Sequence, residues 1–281
     1  MVDDPLFELR ALALAGDDAS LRVLNDAVMA SGPLAEAYLL GRHEEVWEAL
    51  RALGPELRAP GVWQQAWSIG WETMRRVRVN LNELKRRLLA RGYRFLFPEE
   101  AVGTPASVSS LNALEAIANG PLPLSLHAFW AVVGSVDFRQ HPSQTVHDWL
   151  EEAPSALAQL GDDDPLVIHG VSRILDAGFA SPRDGRLFVY LSPDAFHKAG
   201  VSGGENYHVW LPDFCADVRV AGDVSPNLIE AEPVPLGQYV VDAIRRSIHG
   251  GGFRGRLSPS MDAWQPARPL QEELARGLLA L

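Results

Sequence analysis

The sequence is poor in cysteine, in long apolar runs and in excess positive charge, and each absence excludes a class of protein. Cys215 is the only cysteine, so an intramolecular disulfide is excluded and nothing points to an oxidising compartment. No apolar run approaches the roughly 18 residues that a membrane span needs. The formal net charge of −11 argues against general nucleic-acid binding. We therefore expect no membrane association, and nucleic acid is an unfavourable partner.

The composition and the first residues indicate a globular protein of the cytoplasm. The chain begins with the acidic segment MVDDPLFE, whereas a secretory signal peptide begins with basic residues. Its 281 residues, 47% hydrophobic and 22% charged, suffice for one large domain or two smaller ones. The sequence therefore predicts a cytoplasmic localisation.

Short catalytic motifs occur only in contexts that do not fit them. Residues 200–204 satisfy G-x-S-x-G, but a polar segment precedes them and a strand pattern follows, the reverse of a nucleophile elbow. Residues 250–255 satisfy G-x-G-x-x-G, but they follow a helical pattern and do not open a helix. No histidines lie at a metal-ligand spacing such as H-E-x-x-H. We therefore predict no catalytic residue, no metal and no cofactor, and a protein that is not an enzyme.

The densest structural signals lie in residues 110–138. Asn119-Gly120 predicts the end of one helix, because both residues tolerate the left-handed conformation. Pro123 suits the first turn of a second helix, and Gly134 ends it. Alternation in residues 136–138 predicts a strand buried on one face. One helical face of the second helix is apolar, with Leu122, Leu126, Phe129, Trp130 and Val133.

This pattern resembles the SUKH superfamily, which includes a fungal regulator of cell-wall synthesis and many bacterial immunity proteins. The resemblance is confined mainly to residues 110–138, and Gly134-Ser135 replaces the family's Asn-Gly before the first strand. It implies a mixed α+β domain and an intracellular immunity or partner-binding role without chemistry. The partner would be another protein, and a toxin in the immunity case. The matching residues are Leu114, Glu115, Gly120, Leu122, Pro123, Phe129 and Gly134.

The remaining patterns predict an α+β fold in two regions. Residues 1–92 read as a helical N-terminal region, and residues 93–281 read as a SUKH-like α+β domain with a mostly antiparallel or mixed sheet. Helical patterns return at residues 236–248 and 270–281. Short strands are predicted at residues 166–168, 187–190 and 207–211.

A basic helix in residues 63–91 offers one alternative function. Eight basic and two acidic residues between Trp63 and Arg94 give a local formal charge of +6. A solvated basic face against an acidic body explains this charge, and an anion-binding surface is the functional alternative. The tryptophans Trp63, Trp67 and Trp71 share an apolar stripe that is better suited to a core than to stacking with nucleic acid.

Polar side chains around two predicted strand ends form the candidate recognition surface. One group follows the strand at residues 136–138, and the other lies in the loop between the last two predicted strands, where binding residues are often presented. A solvated hairpin loop is the structural alternative. An enzyme with an unrecognised acid/base site near His197, His208 and Asp213 is a further alternative. The candidate surface comprises Asp137, Arg139, His141, Asp194, His197, Lys198, Tyr207 and His208.

Overall fold

The computed structural model of the chain describes residues 12–14, 17–144, 155–160, 165–176, 180–183, 185–194, 206–220, 238–253 and 268–281. Helices dominate the first part of the chain, and short antiparallel strands occur in the second. The predicted α+β class with a helical N-terminal region is therefore confirmed. None of the described helices combines the length and the apolar character needed to cross a membrane.

Ten α-helices lie in the described residues. Two 3₁₀ turns, Gly54–Arg58 and Pro142–Gln144, accompany them. The helices are α1 (Asp18–Ala30), α2 (Pro33–Leu39), α3 (His43–Ala52), α4 (Pro60–Ala90), α5 (Val108–Ala118), α6 (Leu124–Val132), α7 (Ala156–Gln159), α8 (Val171–Asp176), α9 (Val240–His249) and α10 (Arg268–Ala275).

Local capping chemistry explains where several helices begin and end. The carboxylate of Asp17 accepts a hydrogen bond from the Ser20 N–H, and the hydroxyl of Ser107 accepts one from the Ser110 N–H. Asn119 adopts the left-handed conformation after α5, with φ of 55°. The left-handed preference of Asn119 and Gly120 is readable from sequence, which is why the C-terminal end of α5 is predicted correctly.

Helix α6 occupies the centre of the molecule. The apolar face that its sequence predicted is fully buried, and Leu124, Ser125 and Ala128 are fully buried as well, so the burial of α6 is not confined to one face. Helix α4 packs against α6, and Gly70 permits the close approach because a Cβ there would lie 3.1 Å from the Leu124 side chain. Gly134 follows with φ of 90° and ends this central segment, as predicted.

The strands pair only in an antiparallel manner within the described residues. Strands β1 and β2 pair, β3-β4-β5 form a three-stranded sheet, and β6 pairs with β7. The N–H of His169 donates to the carbonyl of Leu191, which joins the end of β2 to β4. The strands are β1 (Val136–Asp137), β2 (Val167–Ile168), β3 (Ala180–Arg183), β4 (Arg186–Asp194), β5 (Asn206–Leu211), β6 (Arg219–Val220) and β7 (Gln238–Tyr239).

Several predicted element boundaries differ from the structure. Helix α9 begins at Val240 instead of 236, because Gln238 and Tyr239 pair with β6. Helix α10 ends at Ala275, and Gly277 follows with φ of 74°. Strands β3, β6 and β7 were not predicted, since polar or proline-containing strands lack the apolar alternation that identifies a strand.

The buried side chains of the helical region and of the sheet region belong to one continuous cluster. Leu24 and Leu50 lie in the same cluster as Val189 and Val209. The predicted boundary at residues 92/93 coincides with the end of α4, where Gly92 has φ of 83°. The division into two domains stays a prediction.

Candidate functional site

The first group of predicted surface residues lies at the end of β1, and most of it is not available for binding. Asp137 is 5% exposed, although the strand pattern predicted an exposed position. Its two carboxylate oxygens accept hydrogen bonds from Arg139 at 2.9 Å from Nε and 2.5 Å from Nη2. This fork-shaped pair satisfies the carboxylate, and the arginine lies 5.5 Å from the centre of the Phe97 ring. His141 is exposed, and its Nδ1 lies 2.9 Å from the Ser143 hydroxyl.

A buried histidine accompanies this pair. Burial and the nearby cations Arg173 and Arg139 lower the pKa of His169 to about 4, against the opposing effect of Asp137. The imidazole is therefore neutral at pH 7. The carbonyl of His169 accepts a hydrogen bond from the Trp130 indole N–H at 2.9 Å, which holds the residue against α6. The arrangement supports a structural role for the end of β1.

The second predicted group lies on β4 and β5, which are neighbours as expected. Asp194 pairs with Asn206 at the open end of the two strands, and Tyr207 pairs with Ser192. His208 lies on the face of β5 opposite Val209 and Leu211, 5% exposed, with its ring 4.2 Å from that of Phe188. His197 and Lys198 lie outside the described residues.

The alternative acid/base site includes two residues that the structure describes. His208 stacks in the ring cluster on the outer face of β5, whereas Asp213 lies in the turn after the strand, with its carboxylate accepting the Cys215 N–H at 3.0 Å. Burial raises the pKa of the Cys215 thiol, and this thiol donates to the Asp217 carbonyl. The enzyme alternative stays a prediction.

The arginines of α4 contact groups of the same chain. Arg78 donates to the carbonyls of Val132 and Val133 at 2.9 and 3.2 Å, where α6 ends, and Arg87 donates to the carbonyls of Leu274 and Arg276. Glu72, Glu83 and Glu273 supply carboxylate partners. The internal use of these cations accounts for the basic run. The arginines concerned are Arg75, Arg76, Arg78, Arg86, Arg87 and Arg91.

A half-exposed cluster of aromatic and charged side chains lies at the opposite end of α4. The guanidinium of Arg58 lies 4.0 Å from the centre of the Trp63 ring, and Trp63 lies 6.2 Å from Trp67. The Trp67 ring meets the edge of His127 at 5.1 Å, and the His127 Nδ1 lies 3.8 Å from a Glu115 oxygen. We refer to Arg58, Trp63, Trp67, Glu115 and His127 as the Trp63 cluster.

The turn between α5 and α6 forms hydrogen bonds with two residues of the Trp63 cluster. The carbonyl of Leu122 accepts a 2.5 Å hydrogen bond from Arg58, and the N–H of the same residue donates to Glu115 at 3.3 Å. The Nε of Arg58 and the Nδ1 of His127 are buried atoms with no hydrogen-bond partner among the described residues. Among the described residues, the cluster thus contains hydrogen bonds that hold its side chains in place, together with two buried polar atoms that form none.

Burial controls the charge state of the cluster. Burial lowers the pKa of His127, with Arg58 acting in the same direction and Glu115 opposing it. Burial also lowers the pKa of Arg58, against the opposing effects of Glu115 and Asp213. Near pH 7 the cluster therefore holds a neutral histidine, one guanidinium and one carboxylate.

The turn after β5 includes Asp213, which acts electrostatically on Arg58, and an exposed aromatic residue. Asp213 donates its N–H to the Pro121 carbonyl, and Cys215 and Ala216 accept the first N–H groups of α6. Phe214, between them, is 51% exposed. Three segments that are distant in sequence therefore meet around the start of α6.

The sequence did not identify this site. Trp63 and Trp67 were assigned to the core stripe of α4, and Trp71, on the same stripe, is indeed only 3% exposed. The Glu115 position was noted only as part of the SUKH pattern. One signal in the sequence points to the site. Three tryptophans lie in the first turns of α4, and this is more aromatic surface than an apolar stripe against α6 needs to bury.

Comparison with protein-family models, curated protein sequences and solved structures returned no significant match. Within the described ranges, no group of three or more His, Cys, Asp or Glu side chains is arranged to hold a metal ion.

Proposed function

We propose that the chain is a non-enzymatic protein-recognition module that binds its partner through the Trp63 cluster. The observation that carries this proposal is the half-exposed series of contacts among Arg58, Trp63, Trp67 and His127. Tryptophan and arginine are the residues most enriched among those that dominate interface energetics. Such side chains, held on rigid helices, lose little conformational freedom on binding.

The ionisable groups elsewhere support recognition over chemistry. Asp137 is engaged on both oxygens by Arg139, and the thiol of Cys215 has a raised pKa that keeps it protonated. A general base needs an accessible lone pair, and a nucleophile needs to be activated. Neither group meets its requirement.

The resemblance of residues 110–138 to the SUKH superfamily supplies the cellular role in this proposal. The helix, turn, helix and strand of that pattern include Glu115 and the turn at Leu122, both of which position the cluster. In the immunity case the protein binds a toxin in the cytoplasm and neutralises it by covering its surface. The partner is a protein in either case.

Affinity capture with three matched forms of the protein tests the proposal. Wild type, Trp67→Ala and Val79→Ala are immobilised in equal amounts, since Val79 is 44% exposed on the same helix but lies outside the cluster. We expect a protein that wild type and Val79→Ala retain and that Trp67→Ala loses by at least roughly tenfold. Identical sets of retained proteins on all three forms would overturn the proposal. Thermal unfolding of each form checks that the variants are folded.

A further inference from the structure

We propose that the Trp63 cluster takes a lysine or arginine side chain from a basic surface of its partner. This inference rests on the proposed function and specifies the chemistry of the partner. Its basis is the combination of aromatic faces, a partly exposed carboxylate and the charge of the whole chain.

The aromatic rings of the cluster already accept a cation. The Arg58 guanidinium lies 4.0 Å from the centre of the Trp63 ring, which is the geometry of a cation–π contact. Trp67 continues this aromatic surface at 6.2 Å and is only partly buried. An ammonium or guanidinium group of the partner can contact the Trp67 ring in the same way as Arg58 contacts the neighbouring Trp63 ring.

The carboxylate of Glu115 supplies the opposite charge for that cation. Its side chain is 30% exposed, and its nearest titratable neighbour, His127, is neutral at pH 7 because burial lowers the pKa of the imidazole. A carboxylate offers about four acceptor positions, and the Leu122 N–H occupies one of them. Glu115 therefore retains capacity for charge-assisted hydrogen bonds to a lysine or arginine.

The charge around the cluster favours a basic partner over an acidic one. Glu115 and Asp213 both act electrostatically on Arg58, so the single guanidinium is accompanied by two acidic side chains. The chain carries a net formal charge of −11, and the arginines of α4 are used internally. The resulting field attracts basic surfaces and raises their rate of encounter.

Peptide binding by the full-length protein tests this inference. Fluorescein-labelled 12-residue peptides of lysine and glycine, of glutamate and glycine, and of glutamine and glycine are titrated with wild type at low salt, and binding is read from fluorescence anisotropy. We expect the lysine peptide to bind most tightly and Glu115→Gln to weaken it roughly fivefold to tenfold. Trp67→Ala should weaken it as well.

Glu99→Gln is the matched control, since it removes the same charge from an exposed position. Glu99 precedes Gly103 by four residues in the sequence. The Gly103 carbonyl accepts a hydrogen bond from Arg78, which lies eleven residues beyond Trp67, about 16 Å along the helix. We expect less than a twofold change in this variant. Equal weakening by Glu99→Gln and Glu115→Gln, or tightest binding of the glutamate peptide, would overturn the inference.

The two proposals fail in different ways. One outcome is a captured protein that Trp67→Ala does not retain but that binds Glu115→Gln and wild type equally. This outcome would support the proposed function and overturn the inference that the cluster binds a lysine or arginine side chain. Absence of any Trp67-dependent protein, with lysine-peptide binding that depends on Glu115, would support the cation site and overturn protein recognition.

Discussion

The two ends of α4 place aromatic and charged side chains in opposite situations. From Glu72 to Arg91 the arginines contact carboxylates or the ends of neighbouring helices. In the first two turns, Trp63 and Trp67 stay partly exposed beside the Arg58 Nε and the His127 Nδ1, which have no hydrogen-bond partner in the part of the chain that the structure describes. A run of charge in a sequence is therefore a weaker indicator of a binding surface than a partly exposed aromatic cluster.

The basic end itself contains a second comparison. The pattern Glu-x-x-Arg-Arg occurs twice, at residues 72–76 and 83–87, and in both copies the glutamate pairs with the two arginines. Glu72 is 1% exposed, whereas the Glu83 side chain is 30% exposed. The same Glu-x-x-Arg-Arg pattern thus produces one interior ion triad and one near the surface.

The largest predicted effect comes from removing each glutamate in turn. Glu72→Ala leaves Arg75 and Arg76 without their carboxylate in a buried site, and we expect a loss of about 3–5 kcal/mol in the free energy of unfolding. Glu83→Ala should cost below about 1 kcal/mol, because solvent screens that pair. Urea unfolding measures both values, and equal losses would contradict the comparison.

The next prediction concerns Asp217, which links the arginine contacts to the turn that carries Phe214. Its carboxylate accepts hydrogen bonds from Arg51 at 2.8 Å and from the Val241 N–H at 3.3 Å. Burial raises the pKa of Asp217 from 3.8 to about 6, against the lowering effect of Arg51. Protonation of the Asp217 carboxyl therefore stabilises the folded state. This stabilisation is fully present below pH 4 and is lost as the pH rises through 6.

The Asp217→Asn variant tests this pH dependence of stability. The variant lacks the titrating group, so its stability relative to wild type should increase between pH 4 and pH 8, by the order of 3 kcal/mol. Urea unfolding of both proteins across this range checks the difference. A difference that does not change with pH would show that the Asp217 carboxyl does not titrate in this window.

A smaller effect is expected from Arg78, the arginine that joins the basic end of α4 to the central helix. Arg78→Ala removes the donor to the carbonyls of Val132 and Val133, and we expect a loss of about 2 kcal/mol. Arg78→Lys should retain part of this stability, since one ammonium reaches fewer acceptors than a guanidinium. Equal stability of the alanine and lysine variants would argue against the capping role.

The smallest effect on stability is expected in the Trp63 cluster, at the start of α4. Glu115→Gln keeps an oxygen for the Leu122 N–H, so we expect a change within about 0.5 kcal/mol in the free energy of unfolding. The same variant should bind the lysine peptide more weakly than wild type. A large loss of stability would instead assign Glu115 to the fold and remove it from the recognition site.

Sequence reasoning succeeded where local chemistry decides the structure. Asn119 and Gly134 end their helices as predicted, and the β-branched and aromatic runs of β4 and β5 predicted two strands, which the structure pairs. In each case the preference of a residue for one backbone conformation, or a short β-branched or aromatic run bounded by turn residues, acts over a few positions.

The candidate site was beyond reach because it depends on contacts between distant segments. Whether Trp67 is buried depends on His127, sixty positions later in the chain, and on the turn at Leu122. Asp137 was expected at a surface, but Arg139 two residues later folds back on it and allows its burial. No period or composition reports such pairings.

The contacts between α4 and the last described residues have a consequence for the order of folding. Asn80 exchanges hydrogen bonds with the main chain of Leu279, 199 positions later, and Arg87 donates to the carbonyls of Leu274 and Arg276. At about 5–20 residues per second, a ribosome needs on the order of 10–40 s to supply those partners. During that interval α4 lacks these particular partners, so its contacts with Leu274, Arg276 and Leu279 form late, only after those residues have been synthesised.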